Sequence, residues 1–522
     1  MPGDELAGHD VAGGRSGRAR LTGPVRLWLS IFAASLGLFL IRFLVPTPVA
    51  QADNRDGPRL MCGLGLAPVT HGHPRFFRYA YFEYVHSSAC AGRAPYPSSQ
   101  VGPLILAKLL TPVFGLPGSL NMIALGVVMC VLASIGIASL ATGLRVRLWA
   151  QLLVAAIIWV IMADAAFFDV FAGPFSEPAA LVGLLLVAAG VAYLGRSWRD
   201  TMFGLALAGS GGFLAILSKE QYLILAVPIC VTLVLATAKP GGWRGLRKFR
   251  TREVGAALTV AGLLAIMTAA YIGWDFTSHY GKRLHYIQAV DMIFTDIVTK
   301  RATAPAQLRS LGLPVSWARY AGDYYWDTRS VRDSPLFKRY EGRLTDTTIA
   351  KYLLTHPGSI ISIGQNAAIQ AQRMRDTQLG DYPPYAGHRP GAIESRVVVF
   401  TWLMRHLPKR LGLAWYASLW TAMAAISIVA LCRTRRRPWN RDAAVLVLCM
   451  TGCAIVAFIP PTYFAGISTT RHMVGMNLAT ALAIPIAIGL AISLIRQVMP
   501  RRRRPPGAHA VPPVPQLAKK GT

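Results

Sequence analysis

A chain of 522 residues that is 53% apolar and only 15% charged, yet carries a formal charge of +30, is not a string of soluble domains. Its Lys and Arg residues fall in short clusters between apolar runs, not on one soluble face, which excludes a nucleic-acid surface and leaves a polytopic membrane protein. The seven cysteines form no metal-ligand spacing.

In chain order, the tail 1–26 carries Arg15, Arg18, Arg20 and Arg26, so the positive-inside rule places it in the cytoplasm. The first span, 27–45, is too long for a signal h-region and no small-residue cleavage site follows it. The chain then emerges as "PVAQADNRDGPRLMCG", setting Asp53, Arg55, Asp56 and Arg59 outside. Cys62 and Cys90 share this loop and can pair only if it is extracytoplasmic. "SSQVGPLILAKLLTPVFGL" contains Lys108 and Pro112 and reads as an interfacial or re-entrant helix.

Further spans are expected at 120–141, 149–163, 179–194, 202–217, 222–236 and 254–271. A polar interval, 274–396, then forms a mainly helical extracytoplasmic insertion, with "TDTTIAKYLLTHP" and "SIISIGQNAAIQAQRMRD" as amphipathic helices separated at Pro357. The C-terminal membrane region, 397–497, adds spans at 413–431, 443–459 and 473–495, and 498–522 is a basic, Pro-rich cytoplasmic tail near anionic lipid. The expectation is an all-α polytopic protein of about ten transmembrane helices, with a membrane core at 27–273 and both termini inside.

With that orientation the unusual polar residues gather on the outer face. Asp53 and Asp56 sit in the first loop, Asp164, Asp169 and Glu177 in the second, Lys219, Glu220 and Gln221 in the third, and Arg471 and His472 in the last. Ionisable groups at membrane borders are costly to dehydrate and read as functional when they face one cavity. Carboxylates beside cations suit attack of a hydroxyl on an anomeric carbon with departure of a phosphate: one carboxylate takes the proton and the cations receive the leaving group. Because nucleotide sugars are absent outside the cytoplasm, the donor would be lipid-linked.

The ordered motifs "DNRDGPRLM", "FFDVFAGPFSEPAAL", "SKEQYLILAVP", "YLLTHPGSI" and "TTRHM" resemble the GT-C superfamily of polyprenyl-phosphate-dependent membrane glycosyltransferases, most closely bacterial cell-surface glycan hexosyltransferases. The resemblance covers most of 27–495. It implies a first-loop aspartate as catalytic base, matching Asp56 with Asp53 as second candidate, and Glu177 as a second acidic site residue. It also implies donor-phosphate or substrate contacts from Lys219, Gln221, Arg471 and His472. Arg55 and Pro58 depart from the simpler family pattern, so the register of the two aspartates stays open. The implied partners are a polyprenyl-phosphate sugar donor, a glycan or lipid-linked acceptor and membrane lipids, with no nucleic acid.

Plainer readings stand beside these. Asp53 and Asp56 alone fit a helix cap as well as catalysis, with Arg55 and Arg59 as solvated neighbours. Glu177 fits a helix start, Lys219 a snorkelling border lysine paired with Glu220, and Asp164 and Asp169 structural sites. No cofactor is demanded. His71, His73 and His86 lack ligand spacing, and a divalent metal on Asp53 and Asp56 is left open. The competing functions are a lipid-linked glycan flippase, which needs polar groups through the bilayer depth, and a non-catalytic envelope assembly protein using the insertion.

Overall fold

The computed structural model describes residues 23–93, 95–238, 251–433, 438–466 and 469–498. The basic tails lie almost wholly outside these residues, as do the basic runs at 239–250 and 434–437. All ten expected spans coincide with helices. Among the described residues, seven helices are long and apolar enough to cross a membrane: Gly23–Leu44, Met122–Gly143, Glu220–Thr237, Arg252–Thr277, Lys409–Arg433, Trp439–Tyr463 and Val474–Gln497.

The other three fall short for identifiable reasons. Leu148–Ala163 and Glu177–Val191 have 16 and 15 residues, less than the roughly 20 that a bilayer core requires. Trp198–Ile216 has 19 residues, but Arg199, Asp200 and a Gly-Ser-Gly-Gly stretch dilute its apolarity. Val101–Val113, with 13 residues, is too short to cross and turns Ile105, Leu106, Leu109 and Val113 outward.

Glu177–Val191 lies at the centre of the bundle, with every residue buried. A helix apolar all round can be buried all round, and small residues bring its neighbour very close. A Cβ on Gly183 would stand 2.5 Å from the Ala215 nitrogen, and one on Gly190 2.5 Å from the Gly204 oxygen. Reciprocally, Gly204 and Gly211 meet the carbonyls of Gly190 and Gly183. These two antiparallel helices therefore pack backbone to backbone, in the small-residue manner of membrane helices.

The expectation of an all-helical chain needs one correction. Leu66–Pro68, Glu83–His86 and Leu120–Asn121 form a three-stranded antiparallel sheet in the order given. Strands of two to four residues are too short to show alternation in the sequence. Beside this sheet Cys62 and Cys90 are joined in a disulfide.

Within 274–396 a second hydrophobic cluster, separate from the bundle core, surrounds Trp317, whose Nε1 donates to Ser334 Oγ at 2.9 Å. The two amphipathic helices appear at Asp346–Thr355 and Pro357–Gln372. Thr345 caps the first and Pro357 opens the second.

A buried ion network fixes the entry to the first loop. Arg42 bridges Asp169 at 3.3 Å and Glu394 at 3.5 Å, while Arg375 holds Asp169 at 3.2 Å and also Asp381. The backbone from Ala50 to Ala52 runs between these partners, donating to the carbonyls of Asp381, Asp169 and Gly380 in turn. Asp164 is also structural: it caps Ala165–Phe168 and accepts from the Thr401 backbone and hydroxyl.

Candidate active site at the convergence of four loops

The clamped segment leads directly to the two aspartates, and their geometry separates them. Asp53 is buried, and its Oδ1 accepts from the backbone N–H groups of Arg55 at 2.8 Å and Gly57 at 2.9 Å. This turn holds Arg55 at φ 86°, a left-handed conformation that a non-glycine residue adopts only when its surroundings impose it. Gly57 is required by close contact: a Cβ there would stand 2.5 Å from Asp53 Oδ2. Asp53 thus shapes the loop, and Asp56 is the carboxylate that enters the site.

Asp56 Oδ2 takes a charge-assisted hydrogen bond from Arg471 Nη2, with Lys219 Nζ at 3.9 Å and Arg59 Nε at 3.7 Å from its other oxygen. Asn54 secures the arrangement by accepting from Arg471 Nη1 at 3.0 Å and from the Asp56 N–H at 3.2 Å. Glu177, the first residue of the central helix, accepts from Lys219 Nζ at 3.0 Å and lies 3.7 Å from Arg471 Nε. His472 Nε2 stands 3.2 Å from Lys219 Nζ and 3.4 Å from Arg471 Nη2. The Arg471 guanidinium stacks over the Phe175 ring at 5.0 Å.

The electrostatics follow from this packing. Burial alone would raise the Asp56 carboxyl, but Arg471, then Arg59 and Lys219, hold it well below the usual carboxylate range. Asp53 feels only a weaker pull, from Arg75. Burial pushes it up to about 6 against the pull of its two backbone donors. Burial, with Lys219 and Arg471 adjacent, holds the His472 imidazole well below its ordinary value, so it is neutral. Since Nε2 faces two cationic donors, it is the acceptor and the ring proton belongs on Nδ1.

A narrow cleft opens over this cluster, lined by Asp56, Arg59, Tyr96, Phe175, Glu177 and Lys219. At 27% side-chain exposure Asp56 is its accessible carboxylate, whereas Glu177 is 2% exposed. The arrangement combines an ionised carboxylate that can accept a proton with cations that can receive a phosphate.

The model of a family described as the YfdI N-terminal transmembrane domain matches residues 19–506, nearly the whole chain. The chain belongs to the YfdI family. No curated protein matches it. With the long apolar helices, the family match makes it a multi-pass membrane protein.

In this YfdI-family chain, five of the seven sequence-derived site residues, Asp56, Glu177, Lys219, Arg471 and His472, come together. Asp53 and Gln221 take supporting positions. Gln221 donates to the His472 carbonyl at 3.3 Å and is itself buried. Glu220 does not pair with Lys219. Its carboxylate accepts from the Tyr96 hydroxyl at 2.5 Å. Asp53 and Asp56 direct their carboxylates to different partners. Among the described residues, no three His, Cys, Asp or Glu side chains form a metal-holding group.

Asn54 and Arg59 are site residues that the sequence reading treats as scenery. Arg59 has a legible signal, one helical turn beyond Asp56. Asn54 has none, because its role depends on a partner 417 residues away.

Proposed function

We propose that this YfdI-family protein is a GT-C-type membrane glycosyltransferase of the cell envelope. It moves a sugar from a polyprenyl-phosphate donor to an envelope glycan or lipid-linked acceptor. The observation that carries this reading is the meeting of Asp56, Glu177, Lys219, Arg471 and His472, from four separate loops, beside one cleft. The Cys62–Cys90 disulfide in the first of these loops supports an extracytoplasmic site, since disulfides persist in oxidising compartments. The ten helices then read as ten spans with both termini inside, the fully buried Glu177–Val191 crossing at the centre of the bundle.

In this mechanism Asp56 is the general base. In the free enzyme its cations make it a weak one. The incoming donor phosphate competes for Arg471 and Lys219, and as they turn to it Asp56 loses the charges that depress its proton affinity. The acceptor hydroxyl then passes its proton to Asp56 as its oxygen bonds to the anomeric carbon and the carbon–phosphate oxygen bond breaks. The polyprenyl phosphate leaves onto Lys219, Arg471 and Arg59. Direct displacement inverts the anomeric centre. Glu177 holds Lys219 and Arg471 in position, and the neutral His472 does the same from the other side.

The flippase reading needs charged groups distributed through the bilayer depth. Arg42 is engaged with Asp169 and Glu394, which supports a structural part for it instead. The deciding experiment compares envelope glycans and lipid-linked sugars in cells carrying wild-type or Asp56→Asn protein. The expected result is a missing sugar linkage with accumulation of the lipid-linked donor. Unchanged glycans with normally inserted variant would end this assignment.

A further inference from the structure

A second cavity, of about 450 Å³, is lined by Gln372, Arg373, Asp376, Arg405, Lys409 and Thr470. It has no lining residue in common with the Asp56 cleft. The short helix Thr469–His472 serves both: Thr470 contributes to this cavity, while Arg471 engages Asp56 and Glu177.

Its chemistry is cationic. Arg375 also reaches the wall, but Asp381 and Asp169 neutralise it. Arg405 donates from Nε to the Arg373 carbonyl at 3.1 Å, and among the described residues none of Arg373, Arg405 and Lys409 has a carboxylate ion-pair partner. Asp376 is the one acidic side chain in the lining, and its Oδ1 accepts from the Gln378 N–H at 2.9 Å.

Gln372 supplies an independent sign. It is 3% exposed, yet neither its Nε2 nor its Oε1 has a hydrogen-bond partner among the described residues. A buried amide left this way is rare and costly unless a ligand meets it.

The rim shows where such a ligand resides. Helix Val399–His406 buries Phe400, Thr401 and Met404 and turns Val399, Trp402 and Leu403 outward, with Arg405 in its last turn and Lys409 just beyond. Eight residues cannot cross a bilayer. An exposed apolar face ending in cations is the pattern of a helix lying in the membrane surface, with its charges at headgroup level.

We propose that this cavity is a second anion site, which seats the phosphate of a lipid at the membrane surface through Arg373, Arg405, Lys409 and the Gln372 amide. It goes beyond the transfer site and does not depend on turnover there. A donor's phosphate is bonded to the reacting carbon and must lie beside Asp56. A cavity built from other residues serves a different phosphate, carried either by a lipid-linked acceptor or by an anionic phospholipid.

The test uses purified full-length protein in phosphatidylcholine nanodiscs, with farnesyl phosphate and dioctanoyl phosphatidylglycerol as separate probes. Bound equivalents and affinity are read by native mass spectrometry. The wild type is compared with an Arg373→Gln/Arg405→Gln/Lys409→Gln variant, whose replaced side chains are all exposed. An Arg405→Gln/Lys409→Gln variant serves if the triple one melts lower without ligand. The expected result is one equivalent fewer and at least tenfold weaker binding of one probe. Loss confined to farnesyl phosphate identifies a lipid-linked substrate, and loss confined to phosphatidylglycerol identifies a phospholipid. Equal stoichiometry and affinity in wild type and variant for both probes overturns the proposal. Lost binding in a protein that transfers no sugar would count against the transferase reading and leave this site standing.

Discussion

Arg471 and Asp56 are 415 residues apart in sequence, yet the guanidinium Nη2 of one rests on the carboxylate Oδ2 of the other. This pair joins the entry of the last long helix to the exit of the first. It also sets the charge state of the only carboxylate in the cluster that the cleft leaves substantially open.

Removing the guanidinium should therefore move a pH profile. Arg471 depresses the Asp56 carboxyl, so without it the carboxyl binds its proton at a higher pH. Arg471→Gln is expected to shift upward the acid limb of kcat/KM, which reports the free enzyme, and to lower the rate at neutral pH roughly a hundredfold, the scale of losing one stabilising donor. Rate–pH curves on purified protein check this, and an unmoved acid limb would mean that Asp56 is not the titrating base.

The two aspartates should respond differently to the same change. Asp56→Asn removes a proton acceptor and should cost about two to four orders of magnitude in transfer. Asp53→Asn keeps an oxygen that can accept from Arg55 and Gly57 and should leave transfer within a few-fold of wild type. Asp53→Ala should lose folded protein.

Asp53 also predicts a pH effect on stability. Its folded value, raised by burial to about 6, lies above the ordinary 3.8. The folded state thus binds the extra proton between those values, and stability from this group is complete below the lower one and lost as pH rises through the upper. Melting temperatures in detergent should fall from pH 4 to 7 less steeply for Asp53→Asn than for wild type.

Breaking the network under the first loop should be a folding lesion. Arg375→Met leaves Asp169 and Asp381 buried without a shared cation, at a cost of roughly 3–5 kcal/mol. The expected readout is a low yield of monodisperse protein. A normally stable Arg375→Met variant would show that these groups are neutral in the folded state.

The disulfide tests orientation and stability together. In intact cells an impermeant maleimide should label Cys62 and Cys90 only after reduction, without permeabilisation. Cys62→Ser/Cys90→Ser should lower stability by about 2–4 kcal/mol. Labelling that requires permeabilised cells would turn the topology over.

Helices were readable because apolar runs bounded by basic clusters are a one-dimensional signal. The glycines that seat Trp198–Ile216 against Glu177–Val191 were not, since the same residues that permit close packing lower the hydropathy by which a span is recognised. Sidedness collected the site's charged residues into one list, but only the folded chain separated Asp53 from Asp56. Three residues apart in sequence, the first points at backbone N–H groups and the second at Arg471. Arg375, Asp381 and Glu394 are not legible in the sequence, because a buried ion network has no local pattern.

The glycine seam has a consequence for genetics. Glu177 begins one of the joined helices and Lys219 follows the end of the other, and their 3.0 Å contact depends on how closely the two backbones slide together. A side chain inserted at Gly183 or Gly211 acts as a spacer in a hinge pin, parting two charges that it never touches. A selection for inactive alleles should return substitutions at both glycines, although neither touches Glu177 or Lys219.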